Sequence, residues 1–139
     1  MFFSRSKKRK DRLVFSMKKT KHNSSKTKAN DNEKDEELEA KLILEALPKK
    51  AYLIALDERG KQYTSVELSQ KVGSWQSLGS DVVLIVGGPN GLTDEVRNKA
   101  NELWSLSKLT LPHPLVRVFL AETIYRGYSI YANLPYHRA

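Results

Sequence analysis

The sequence predicts an α/β fold: a mostly parallel sheet with helices on both faces. Two runs of strand length, residues 51–56 and 81–86, are each followed by a segment of helical periodicity. The second run, Val82-Val83-Leu84-Ile85-Val86, is β-branched and unalternated, as a central strand covered on both sides must be. The composition, 40% hydrophobic and 29% charged, is that of an ordinary folded domain. No apolar run approaches the roughly 20 residues that cross a bilayer. The absence of cysteine excludes disulfides, thiolate metal sites and cysteine nucleophiles, and no metal site is predicted.

Residues 1–30 are read as a basic, mostly disordered or atypical N-terminal segment, and residues 31–139 as the folded domain. The first segment holds 11 Lys or Arg and a single acid, Asp11, whereas the remainder holds 13 bases and 15 acids. The whole formal charge of +8 therefore comes from the tail. Such a tail suits RNA phosphates by counterion release, and equally suits a solvated decoration. Its acid-poor, Ser-rich character also resembles an organelle transit peptide. Within it only residues 12–17 read as a remnant strand.

The elements follow in order. Asp31 or Asn32 caps a helix with Leu38, Leu42, Ile43, Ala46 and Leu47 on its apolar face, stopped by Pro48. The strand 51–56 comes next. Thr64 and Glu67 have the spacing of a capping box for a second helix, with Leu68, Val72 and Trp75 buried and Gly79 at its end. After the strand 81–86, Thr93 caps a third helix, with Asp94 and Glu95 at its positive end and Val96, Ala100 and Leu103 along its stripe. Residues 106–111 are predicted as a third strand. Pro112-His113-Pro114 opens a final helix in which Leu115, Val118, Phe119, Glu122, Tyr125 and Arg126 recur at helical spacing.

In parallel α/β sheets ligands bind at the carboxyl ends of the strands, so attention falls on the loops after Leu56, Val86 and Leu111. Gly87-Gly88-Pro89-Asn90-Gly91 suits a turn needing positive φ, or a loop whose missing side chains admit a flat ligand. No Gly-Lys-Ser/Thr follows, and the dinucleotide spacing is incomplete, so a nucleoside without phosphates fits better. His113 reads as a turn residue or a functional one. Arg117, Glu122 and Arg126 lie on neighbouring helix faces; Glu122 and Arg126 make an intrahelical pair, or a guanidinium binds phosphate or carboxylate. The ending Asn133-Leu134-Pro135-Tyr136-His137-Arg138 is polar, aromatic and basic, either frayed or suited to stack on a base and grip phosphate.

Several stretches resemble the bacterial ribosomal RNA large subunit methyltransferase H family: Ala55-Leu56-Asp57, Gly87-Gly88-Pro89-Asn90-Gly91-Leu92, Trp104-Ser105-Leu106-Ser107-Lys108-Leu109-Thr110-Leu111-Pro112-His113-Pro114-Leu115-Val116-Arg117-Val118, Ala121-Glu122-Thr123-Ile124-Tyr125-Arg126 and Pro135-Tyr136-His137-Arg138. The resemblance covers about residues 41–138. It implies a SPOUT-type fold with a C-terminal trefoil knot, an exception to the rule against knotting. It further implies a cytoplasmic homodimer that uses S-adenosyl-L-methionine to methylate N3 of a pseudouridine in 23S ribosomal RNA, on the assembled ribosome. An organelle is the alternative location if the first segment is a transit peptide.

Carried over by position, the cofactor contacts would be Leu56, Gly87, Leu106, Ser107, Lys108, Leu109, Thr110 and Leu111. His113, Glu122, Arg126, Tyr136 and His137 are candidates for proton handling or substrate grip. Tyr136, His137 and Arg138 are expected to reach the RNA, across the dimer. The family normally begins with a strand, a glycine turn, a long helix and another strand, a pattern residues 1–30 do not show. The alternative expectation is therefore a catalytically weak or inactive relative that binds RNA or ribosomes.

Overall fold

The computed structural model describes residues 2–5, 15–18, 32–87 and 91–138. Expectations for the rest of the basic segment, for residues 88–90 and for the His113 side chain lie outside the described residues. The chain forms two compact units, Met1–Asp57 with Ser80–Leu103, and Glu58–Gly79 with Trp104–Ala139, where the sequence suggests one domain from residue 31.

The first unit is built on a five-stranded sheet of order β2-β1-β4-β3-β5, made of β1 (Phe2–Arg5), β2 (Phe15–Lys18), β3 (Tyr52–Lys61), β4 (Val82–Val86) and β5 (Glu102–Trp104). β3 continues into the second unit. β3 and β4 run parallel, with Leu53 opposite Val83, Ala55 opposite Ile85 and Leu56 opposite Val86. β1 lies antiparallel to both β4 and β2. The basic segment thus contributes two strands where a mostly disordered segment is expected; β2 overlaps the remnant strand read at residues 12–17, and β1 has no counterpart in the expectation.

All of β4 is buried, which is why its sequence is apolar without alternation. Its Val83 and Ile85, with Leu53 and Ala55 of β3, form one core with Ala40 and Ile43 of α1 (Asn32–Ala46), Val96 of α3 (Asp94–Lys99) and Leu92. The stripe of α1 differs from the expected one. Ala40 and Ile43 are buried and Leu44 and Leu47 pack beside them, whereas Leu38 and Leu42 are exposed. Both sets have helical spacing, and the sheet selects the one whose smaller Ala40 permits close approach.

β3 outruns its apolar stretch. Its continuation, Glu58-Arg59-Gly60-Lys61, is polar and partly exposed, so no hydrophobic run marks it. The third strand also moves: β5 is residues 102–104, and 106–111 form no strand. Asn101 stands against β3, its amide donating to the Leu53 carbonyl (2.7 Å) and its Oδ1 accepting from Leu53 N–H (2.8 Å). Beyond Trp104, hydroxyls take over: Ser105 Oγ donates to the Ser107 carbonyl and Ser107 Oγ accepts from Leu109 N–H. Such local bonds turn the backbone where a ladder would extend it. Leu103 accordingly sits in β5, off the helical stripe.

The second unit pairs α2 (Ser65–Trp75) with α4 (His113–Tyr131). The capping box at Thr64 forms as its spacing predicts, with Glu67 N–H donating to Thr64 Oγ1 (3.1 Å) and Thr64 N–H to Glu67 Oε2 (2.8 Å). Leu68, Val72 and Trp75 are buried, and the helix stops at Trp75, before Gly79. Gly127 brings the helices together: a Cβ there would stand 3.4 Å from Leu68 Cγ and Val72 Cγ2. Trp104 stacks on Trp75 at 5.8 Å and tilts against Tyr63 at 5.3 Å.

α4 begins at the expected prolines, yet its buried face is Leu120, Ile124, Gly127 and Ser129. The stripe of Leu115, Val118, Phe119 and Tyr125 faces outward. Ala132, Asn133 and Leu134 end the helix in a Schellman turn. Leu134 N–H donates to the Ser129 carbonyl and Asn133 N–H to the Ile130 carbonyl, with Asn133 at φ 58°. The turn folds the last residues back along α4.

Candidate functional site

In the first unit, Leu56 lies within β3 rather than before a loop, paired with Val86, and Gly87 follows β4 directly. A Cβ on Gly87 would stand 2.8 Å from the Gly91 carbonyl carbon and 3.0 Å from Leu92 N, so the glycine lets the turn close on itself. Gly91 has φ +81°, a conformation that favours glycine. Thr93 caps α3, its Oγ1 accepting from Val96 N–H. Arg97 projects from α3 to donate to the Leu92 carbonyl at 2.6 Å, lies 3.4 Å from Asp57 Oδ2, and pairs with Asp94. Its hydrogen bond to Asp94, opposed by burial, raises this guanidinium above the ordinary arginine value.

In the second unit, the Schellman turn carries Tyr136 and His137 to the α4 residues Glu122 and Arg126. Glu122 Oε1 accepts from Arg126 Nη2 (2.6 Å) and Nε (2.9 Å), and from the Tyr136 hydroxyl (3.3 Å). Arg126 Nη1 stands 3.2 Å from His137 Nδ1, and the guanidinium lies 5.0 Å from the centre of the Tyr136 ring. Tyr125 meets the same ring edge-on at 4.7 Å. The hydrogen bond to Glu122, opposed by burial and aided by the Glu122 charge, raises Arg126 above the ordinary arginine value, so it remains a cation.

Arg126 and Glu122 also line a cleft of about 210 Å³ within this unit. Its walls are Tyr63, Leu68, Trp104, Phe119 and Leu120, with Ser65, Ser105 and Thr123 adding hydroxyls and Leu106 at its edge. Flat aromatic walls beside a fixed cation suit a planar, hydrogen-bonding ligand. Leu106, Ser107, Lys108, Leu109, Thr110 and Leu111 form the irregular stretch between β5 and α4, with Leu109 76% exposed.

Among the sequence candidates, Arg126, Tyr136 and His137 are brought together, with Glu122 as their hub. Arg138 follows, exposed. His113 is the first residue of α4. Arg117, a candidate anion binder, has a buried Nε without a partner among the described residues. Tyr63, Trp104 and Thr123 are lining residues that the sequence reading does not single out, Trp104 and Thr123 standing only within the stretches that carry the resemblance. The usable signal was Asn133, a residue that tolerates left-handed backbone, just past a long helix. Among the described residues no group of His, Asp and Glu is placed to hold a metal, and no helix is long and apolar enough to cross a membrane.

The sequence model of the family described as predicted SPOUT methyltransferase matches residues 2–137, taking in the basic segment that the resemblance left out. A ribosomal RNA large subunit methyltransferase H from Hydrogenovibrio crunogenus is 58% identical over 100 residues, covering 72% of this chain and 64% of that protein. Proteins of the same name from Thioalkalivibrio sulfidiphilus and Methylobacillus flagellatus are 51% and 52% identical over 102 and 103 residues, covering 73% and 74% of this chain and 65% and 66% of theirs. The chain spans just under two thirds of the length of the curated relatives it matches.

Proposed function

Because the chain belongs to the SPOUT methyltransferase family, we propose that it transfers a methyl group from S-adenosyl-L-methionine to N3 of a pseudouridine in 23S ribosomal RNA, on the assembled ribosome. The name of its relatives supports ribosomal RNA as the substrate. The observation that carries the reading is the gathering of Tyr136 and His137 around the Glu122–Arg126 pair beside an aromatic-walled cleft.

The residues present fit the donor. Adenosylmethionine carries a flat nucleoside without phosphate. The tight Gly87 turn has no phosphate-loop lysine, and the stretch from Leu106 to Leu111 combines three leucines with Ser107 and Thr110. Leu56, Gly87, Leu106, Ser107, Lys108, Leu109, Thr110 and Leu111 are the residues proposed to hold it. When bound it supplies a methyl already activated on a sulfonium, which leaves orientation and exclusion of water to the protein.

Arg126 brings a permanent charge for a base carbonyl or phosphate, and Tyr136 a ring for stacking. Glu122 anchors both, since its Oε1 already accepts from each. The N3 proton must leave as the methyl arrives, and His113, Tyr136 and His137 are the proposed groups for handling it, with Arg138 gripping RNA. A trefoil knot, a cytoplasmic location and a homodimer belong to the same proposal. The outward stripe Leu115, Val118 and Phe119 supports a second copy as its cover.

The test is transfer of labelled methyl from adenosylmethionine to ribosomes from a strain lacking the endogenous activity. Label at N3 of a pseudouridine is expected. Ribosome binding without transfer would replace this reading with that of an RNA-binding relative without activity.

A further inference from the structure

We infer that Arg97 of α3 is a positioning residue for adenosylmethionine binding: one guanidinium fixes the chain beside both first-unit cofactor candidates, Leu56 and Gly87. The inference rests on the methyltransferase reading for the identity of the ligand, and on the geometry of this unit for everything else.

Arg97 Nη1 donates to the Leu92 carbonyl at 2.6 Å, where the Gly87 turn closes, and stands 3.4 Å from Asp57, the residue after Leu56. The two chain positions belong to neighbouring parallel strands, since Leu56 pairs with Val86 immediately before Gly87. The Asp57 side chain is only 6% exposed, so its attraction to Arg97 acts where water screens little. Asp94 is the foremost cause of the raised guanidinium, but at 86% exposure its pair with Arg97 is screened by solvent and fixes the chain less than the buried Asp57 does. Gly87 lacks the Cβ that would push the Gly91 and Leu92 backbone away, and Arg97 ties the Leu92 carbonyl to Asp57 of β3. Nη1 serves both of these acceptors while Nη2 serves Asp94, and the single, strongly hydrated ammonium of a lysine, on a shorter side chain, would have to serve all three. Arg97 also stands as a base in the last turn of a short helix, favourable to its dipole.

The test compares wild type with Arg97→Lys, Arg97→Ala and, as a control on the exposed partner, Asp94→Asn. Two quantities are read: the Kd for adenosylmethionine by calorimetry, and the exchange rates of the Leu92 and Thr93 amides in ligand-free protein. Arg97→Lys is expected to weaken binding about tenfold, the size of one lost charge-assisted bond, and to accelerate exchange at those amides. Arg97→Ala is expected to exceed it in both, and Asp94→Asn to stay within about twofold of wild type, as an exposed pair should. A folded Arg97→Lys protein with wild-type Kd and wild-type exchange would overturn the inference, as would equal losses in Asp94→Asn. Failure of wild type itself to bind adenosylmethionine would remove the methyltransferase reading. In that case exchange alone decides, faster exchange upholding the clamp and unchanged exchange refuting it.

Discussion

Glu122 Oε1 receives Arg126 twice, at 2.6 and 2.9 Å, and the Tyr136 hydroxyl once, so a single carboxylate oxygen ties the end of the chain to the middle of α4. Glu122→Gln weakens both guanidinium bonds while keeping the shape. Methyl transfer is expected to fall about 10-fold to 100-fold, corresponding to roughly 1.5–3 kcal/mol for bonds to a charged group. Adenosylmethionine affinity is expected to fall far less than the transfer rate, because of the proposed cofactor residues only Leu106 shares the cleft that Glu122 and Arg126 line. Single-turnover rates on ribosomes beside calorimetry measure both, and a matched loss of cofactor affinity would refute the assignment.

Asn133 makes the second prediction. At φ 58° a β-branched residue is strained, so Asn133→Val should destabilise the protein by about 1–2 kcal/mol and loosen the tail, whereas Asn133→Gly should be neutral or better. Urea unfolding gives the first quantity. The second appears as reduced methyl transfer by the valine variant under conditions where it is fully folded.

The Gly87 turn predicts a separation of affinity from stability. Gly87→Ala places a Cβ against the Gly91 and Leu92 backbone, which must move apart. Adenosylmethionine binding is expected to weaken at least about tenfold, for a loss of around 1.4 kcal/mol or more. The unfolding midpoint should change far less than in the Trp75 variant below, and equal affinity to wild type would show that the turn is purely structural.

Trp75 is 1% exposed and stacked on Trp104, so Trp75→Ala should cost about 3–5 kcal/mol. Thr64→Ala should cost about 1 kcal/mol through loss of the capping box, with Thr64→Ser close to wild type. Denaturant titrations of the three variants check the ranking.

The features legible in the sequence were those with a local cause. The capping box at Thr64, the cap at Thr93, the buried strand after Asp81 and the proline-started helix follow from side chains within a few residues of one another. The misplacements were decided at longer range. Leu38 and Leu42 satisfy helical spacing as well as Ala40 and Ile43 do, and only the facing sheet chooses between them. Residues 106–111 look like a strand by composition, but the hydroxyls of Ser105 and Ser107 bond to the local backbone and turn it. The polar half of β3 carries no hydrophobic signal, and in the lysine-rich first segment only β2 is hinted at, by the remnant strand at residues 12–17, while β1 is hidden. At the site, Arg126, Tyr136 and His137 were named as separate candidates. Their meeting depends on a left-handed residue at position 133, whose consequence for the tail emerges only in three dimensions.

The contact between Arg126 Nη1 and His137 Nδ1 limits which way protons can travel. A guanidinium has only hydrogens to offer, so Nδ1 meets it with a lone pair and the ring hydrogen resides on Nε2. Held in this tautomer, the imidazole has Nε2–H as its donor for a ligand. Its Nδ1 lone pair is occupied by Arg126 and becomes available to another proton only after Arg126 lets go. Any catalytic cycle that employed His137 Nδ1 as a base would therefore have to include release of that contact by Arg126.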